Sequence, residues 1–181
     1  MPDKPEILKV ETVARSRLFQ IEQLDLRFSN GVETRYERLL GSAAGAVLIV
    51  AMPDPETVLL VREYAAGVDR YELGFPKGRI EPGEDMLETA NRELREETGF
   101  GARDCRLLTS LTVAPGYFGH VTHVILATDL IEDPSEGDEP EAVETVPYRL
   151  DDIDTLLARD DFTEARSIAA LFLVRERLRH E

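Results

Sequence analysis

The sequence predicts an α+β fold, and three observations carry that prediction. Segments of strand period occupy most of the chain up to Thr128, a helix is marked at both ends between Asp85 and Gly99, and two helical segments follow Leu150.

Leu8–Val10, Leu18–Phe28 and Val32–Leu40 alternate or carry β-forming residues, and Ser29-Asn30-Gly31 reads as a hairpin turn between the last two. They predict an N-terminal antiparallel meander. Ala46–Ala51 and Val58–Val61 are apolar runs bounded by Pro and Gly, the pattern of central strands buried on both faces. In the next segment Pro82 and Gly83 make a turn, Asp85 is a good N-cap, and Glu88 completes a capping-box pattern, so a helix starts near Met86. Gly99 ends it as a left-handed cap. Leu107–Val113 and Val121–Thr128 are two further strands, and the acidic, Pro-containing stretch Asp129–Val143 is a loop. Leu150–Leu157 and Thr163–Arg179 read as helices, the second offering Ala165, Ile168, Ala169, Leu171, Phe172, Leu173 and Leu178 for burial. The organisation is an N-terminal β extension over 1–42 and a main domain over 43–181, with no internal repeat and no linker between independent domains.

Composition excludes several classes of function. With 181 residues, 43% hydrophobic and 31% charged, the chain is long enough for one substantial core and is neither disordered nor a membrane protein. No apolar run approaches a membrane span, and MPDKPEILKVE lacks the apolar core of a signal peptide. The single cysteine, Cys105, forms no internal disulfide, which fits a reducing cytoplasm. A formal charge of −15, without a basic patch interleaved with aromatics, argues against long DNA or RNA as partner.

The helix carries the chemistry. At about 100° per residue, Leu87, Ala90 and Leu94 share a core-facing stripe while Glu93, Glu96 and Glu97 fall on a neighbouring face. Like charges that close repel, and a divalent cation resolves the conflict. Oxygen donors without a His or Cys cluster favour Mg²⁺ or Mn²⁺ over Zn²⁺. The preceding loop, Gly74-Phe75-Pro76-Lys77-Gly78, brings a backbone carbonyl such as that of Lys77 within reach, and Gly78 permits a backbone path or close approach that a Cβ would hinder. The alternative is a solvated acidic helix with ordinary salt bridges. Against it, the joint pattern has a chance frequency on the order of one per billion windows.

From Gly78 to Phe100, GRIEPGEDMLETANRELREETGF resembles the Nudix box, GX5EX7REUXEEXGU with U bulky and apolar, at every specified position. The resemblance implies an α/β/α sandwich that hydrolyses a nucleoside diphosphate linked to another moiety. It makes Glu93, Glu96 and Glu97 metal ligands, with Arg92 positioning or neutralising them. From Val10 to Arg179, the runs ETVARSRLFQIEQLDLRFSNG, LVREYAAGVDRYELGFPKG, APGYF, EGDEPE and ARSIAALFLVRERL resemble the branch of that family acting on ADP compounds. Pro115, fifteen residues beyond Phe100, also matches the ADP-sugar branch. Departures matter too. Gly74-Phe75-Pro76-Lys77-Gly78 stands where ADP-ribose pyrophosphatases commonly read E-L-P-A-G, and Ala65 where an arginine is common, which suits a broader substrate range.

The same resemblance implies a homodimer formed through the N-terminal extension, with Tyr36 and Arg38 reaching into the neighbouring subunit's pocket. It also implies a glutamate from the late acidic loop as general base, for which Glu139 and Glu141 are the candidates and Asp138 a weaker one. Arg62 and Lys77 are candidate cations for the diphosphate, or else surface cations beside an acidic helix. Tyr117 and Phe118, after the Pro115-Gly116 turn, are candidates to stack on a flat base, with core filling the alternative for Phe118. His120 and His123 lack a metal-ligand constellation and are strand or loop histidines. The expected activity is Mg²⁺-dependent cleavage of ADP-ribose, NADH and diadenosine oligophosphates, releasing AMP. The alternatives are a strict ADP-ribose diphosphatase and a module that senses nucleotides without cleaving them.

Overall fold

The structure is a computed structural model that describes residues 3–137 and 140–179. The chain divides into two compact units, residues 1–43 with 112–121, and residues 44–111 with 122–181.

The first unit is a four-stranded sheet. Strands β1 (Glu6–Arg15), β2 (Gln20–Arg27) and β3 (Glu33–Leu40) form an antiparallel meander, and the short β9 (Phe118–Gly119) adds in parallel to the free side of β3. The β2–β3 hairpin closes at Gly31, whose φ of 81° is the left-handed conformation a side chain resists, while Asn30 Oδ1 accepts from Val32 N at 3.0 Å.

The second unit holds a mixed seven-stranded sheet. Its main order is β11 (Glu144–Arg149), β5 (Thr57–Ala65), β4 (Ala46–Asp54), β10 (Val121–Glu132) and β8 (Phe100–Thr112); β6 (Arg70–Gly74) pairs with β5 and β7 (Lys77–Arg79) with β4. At its centre β4 runs parallel to β10, from Ala46 opposite Thr122 to Ala51 opposite Ala127.

The pleat of β4 sorts the core into two layers. Val47, Ile49 and Ala51 pack with Ala90 and Leu94 of α1 (Met86–Thr98), while Leu48, Val50 and Met52 pack with Ile153 and Leu156 of α2 (Ile153–Leu157) and Ala170, Leu171 and Val174 of α3 (Ala165–Leu178). Helices therefore cover both faces of one sheet. Each fully buried Leu or Ile there contributes about 1.5–3 kcal/mol relative to exposure.

Several elements differ from the sequence expectation. β10 continues to Glu132, four residues into the expected acidic loop, with Asp129 at a φ of 52°. The chain from Leu150 starts as a 3-10 turn before α2. On α3 the buried residues are Ser167, Ala170, Leu171 and Val174, while Leu173 is exposed and Ala165 lies outside the stripe. The i, i+3, i+4, i+7 spacing decides which residues face the sheet, and hydrophobicity alone misplaces the stripe. Among the described residues, no helix is long and apolar enough to cross a membrane.

Candidate functional site

The site is built on β7 and α1. Pairing of β7 with β4 sets Gly78 opposite Val47 and Lys77 opposite Leu48, and Pro76 O accepts from Ile49 N at 2.8 Å. A turn through Gly83, at a φ of 88°, delivers the chain to Asp85, whose carboxylate accepts from Leu87 N at 2.8 Å and caps the helix. Gly99, at a φ of 77°, closes it by donating to Arg95 O at 3.0 Å. With Ala90 and Leu94 held against the sheet, helical geometry draws the flanking Glu93 and Glu97 inward until they are only 8% and 6% exposed.

Burying two carboxylates needs space and partners. The space at Glu93 is the missing side chain of Gly78: a Cβ there would lie 1.8 Å from Glu93 Cδ and 1.9 Å from Oε1. Gly78 is thus required for close approach, not for an unusual backbone path. One partner is Arg92, whose guanidinium contacts Glu84 Oε1, Glu93 Oε1 and Glu96 Oε2, each at 2.9 Å. Hydrogen bonding to Arg92 holds the Glu84 carboxyl at a pKa of about 2, and Arg92 in turn is held firmly protonated.

Glu97 is different. Its Oε1 accepts the Lys77 backbone N–H at 3.3 Å, while Oε2 is buried without a hydrogen-bond partner. Burial pushes its pKa up to about 8, with Lys77 partly opposing the shift. An orphaned carboxylate oxygen of this kind is costly unless a cation completes it.

Among the described residues, no three His, Cys, Asp or Glu side chains converge on one point as a preformed cage. Glu93 and Glu96 are drawn to Arg92 while Glu97 turns to the Lys77 amide. The donors still fit a hard cation: they are oxygens, one of them orphaned, and Glu93 sits in a cradle that a Cβ on Gly78 would fill.

Most of the expected residues of the second unit line two clefts. Lys77, Arg92, Glu93 and Glu96 line an acidic cleft of about 600 Å³, and Glu136 lines it with them. The sequence pattern does not single out Glu136; the acidic loop offers several equivalent carboxylates, and only its path off β10 selects among them. Asp138 and Glu139 lie outside the described residues. Glu141 lines a separate cleft of about 220 Å³, where it accepts from Tyr71 Oη at 2.5 Å. Arg62 lines that cleft too, and its guanidinium is already engaged, with Glu144 at 2.8 Å and Asp161 at 2.5 Å. The Lys77 ammonium pairs with Glu63.

The remaining candidates sit in the first unit. Tyr36 is exposed, with Phe28 6.3 Å away between ring centroids, and Arg38 makes a two-pronged contact to Glu22 Oε2 at 3.0 and 2.8 Å. Tyr117 is 63% exposed, and Phe118 stacks on His120 at 5.2 Å. In the second unit, His123 lies in β10, with Nδ1 2.8 Å from Ser110 Oγ.

Residues 42–171 match the NUDIX domain, and residues 5–38 match the NudE-type Nudix hydrolase N-terminal domain. The chain belongs to the Nudix hydrolase family. Within it, the chain is 52% identical over 176 residues to the ADP compounds hydrolase NudE of Escherichia coli strain K12, covering 97% of this chain and 94% of that protein. The crystal structure of an ADP compounds hydrolase superposes with a TM-score of 0.92 at 51% identity, covering 99% of this chain and 97% of that one. The ADP-ribose pyrophosphatase of Bacillus subtilis strain 168 is 30% identical over 171 residues, covering 91% of each chain.

Proposed function

We propose that the protein is a Mg²⁺-dependent hydrolase of the diphosphate linkage in ADP compounds, with ADP-ribose, NADH and diadenosine oligophosphates as substrates and AMP as a product. The observation that carries this reading is the buried Glu97 carboxylate, one oxygen on the Lys77 amide and the other unpartnered, on the same helix as Glu93 and Glu96. The names of the relatives, ADP compounds hydrolase and ADP-ribose pyrophosphatase, support the substrate class.

In this reading Glu93, Glu96, Glu97 and the Lys77 carbonyl hold the cation. Magnesium, when bound, withdraws charge from the diphosphate oxygens and lowers the pKa of a water, and Mn²⁺ can substitute. Arg92 fixes the glutamates around it through its contacts to Glu84, Glu93 and Glu96. A glutamate takes the water's proton as the water oxygen bonds to phosphorus and the bridging P–O bond breaks, leaving AMP and a second phosphorylated fragment. Glu96 and Glu136 line the acidic cleft, which favours them for that step, with Glu139 and Glu141 the further candidates. Lys77 and Arg62 remain the candidate cations for the diphosphate, each already paired with carboxylates, Lys77 with Glu63 and Arg62 with Glu144 and Asp161.

The proposal extends to a cytoplasmic homodimer. Every residue of the edge strand β1 is exposed, including Ile7, Leu8, Val10 and Val13, an apolar surface that a second copy would cover. Residues 1–42 are the dimerisation element in this reading, Tyr36 and Arg38 reach into the neighbouring subunit's pocket, and Tyr117 and Phe118 are the rings that stack on the base.

The test compares initial rates of AMP release from ADP-ribose, NADH and a diadenosine compound in Mg²⁺, for wild type and Glu97→Gln. Comparable wild-type rates on all three support the broad substrate class. Cleavage of ADP-ribose alone replaces it with a strict diphosphatase, and no AMP from any of them refutes the hydrolytic reading. A run in heavy-oxygen water identifies the attacked phosphorus.

A further inference from the structure

Lys77 and Glu63 form an ion pair at a junction. Lys77 lines the acidic cleft beside Glu93 and Glu96; both residues line a second cleft of about 390 Å³ with Val68, Leu73 and Ser167. Glu63 also lines the third cleft, with Arg62, Tyr71 and Glu141. Both charges therefore line one of these clefts, and each lines one of the other two alone.

The backbone explains this placement. Arg62 and Glu63 are consecutive on β5 and point to opposite sides of the strand, Arg62 toward Glu144 and Asp161, Glu63 toward Lys77. Lys77 is itself fixed by strand pairing to β4, and its amide is the one that holds Glu97. With side chains 31% and 43% exposed, the two charges are reachable by a ligand yet shielded less from one another than free surface ions are.

Resting on the proposed hydrolysis of phosphoanhydrides, we propose that the Lys77–Glu63 pair is a specificity-determining element that keeps the cleft junction electrically neutral, so that bridges of two and of three phosphates are admitted alike. Without Glu63, the Lys77 ammonium would present an uncompensated positive charge to the bridge, and each added phosphate would gain from it. Without Lys77, the Glu63 carboxylate would repel the bridge, and each added phosphate would lose. With both neutralised, the junction returns to zero charge. This logic assigns opposite signs to the two single substitutions, which a merely structural role for the pair does not.

The experiment measures kcat/KM for a diphosphate-bridged dinucleotide, NADH, and for a triphosphate-bridged one, diadenosine triphosphate, and forms the ratio of triphosphate to diphosphate. Glu63→Gln raises that ratio about tenfold and Lys77→Gln lowers it about tenfold, the size Coulomb's law gives for a unit charge acting at roughly 8 Å in partly solvated surroundings. The double variant returns to within about twofold of wild type, and Glu63→Asp keeps the wild-type ratio. In Glu63→Gln, KM for the triphosphate also rises more steeply with added salt than in wild type. Ratios that stay within about twofold of wild type in both single variants, or that move in the same direction, overturn the proposal while leaving the hydrolytic reading intact. Wild-type protein that cleaves neither compound overturns the hydrolytic reading first.

Discussion

Glu93 occupies the space that a side chain on Gly78 would fill, its Cδ standing 1.8 Å from where that Cβ would be. Strand β7 and helix α1 are thereby locked in one register, with a buried carboxylate between them. Gly78→Ala forces Glu93 out of its cradle. Turnover falls by at least about a hundredfold, because a displacement of about 1 Å in a positioned group costs that much. Stability falls by about 1–3 kcal/mol from overpacking. Steady-state kinetics and a denaturant titration check the two effects separately.

Replacing Glu97 with Gln removes a charge and leaves the side chain's volume. Most Mg²⁺-dependent turnover disappears, by about a thousandfold or more, on the scale of losing one essential electrostatic group. The fold persists, because Gln keeps the side chain's volume and its oxygen still accepts from the Lys77 amide. Full activity in this variant refutes the metal assignment.

Arg92 bridges three carboxylates, and a lysine cannot. Arg92→Lys keeps the charge but loses the planar fork that reaches Glu84, Glu93 and Glu96 together. The expected loss in kcat is about tenfold or more with KM little changed, on the scale of one charge-assisted hydrogen bond. Kinetics at saturating Mg²⁺ tests this, and a wild-type kcat in the variant contradicts it.

The Glu84–Arg92 pair sets a pH dependence. The Glu84 pKa falls from 4.5 to about 2 on folding, so the pair stabilises the fold fully above 4.5 and loses that contribution as pH drops from 4.5 toward 2. With Glu84 only partly shielded, the contribution is about 1 kcal/mol. Glu84→Gln therefore lowers the melting temperature near neutral pH, and the gap to wild type narrows below pH 4.5. A constant gap across that window contradicts the assignment.

Removing divalent cations with a chelator abolishes turnover, and Mg²⁺ or Mn²⁺ restores it where Zn²⁺ does so poorly, as a hard oxygen donor set requires. Activity after dialysis against the chelator, with every metal below trace level, refutes the dependence.

Much of the fold is readable in the sequence because its signals are local. Asp85 and Gly99 mark the ends of α1, Gly31 marks the hairpin, and the apolar run of β4 marks the centre of the sheet. The elements that escape such a reading depend on distant partners. β6 and β11 exist as strands because β5 supplies their hydrogen bonds, and Arg70–Gly74 and Glu144–Arg149 carry little apolar periodicity of their own. The site divides in the same way. The spacing of Glu93, Glu96 and Glu97 sets them on neighbouring faces of one helix, whereas Glu63 and Glu136 enter through tertiary placement that neither residue's neighbours in sequence announce.

The parallel pairing of β4 with β10 constrains how the polypeptide emerges from the ribosome. Ala46–Ala51 cannot acquire its partner until Thr122–Ala127 has been synthesised, so an almost wholly apolar strand waits half-satisfied while the residues in between are made. During that interval the nascent chain offers a sticky edge to its neighbours.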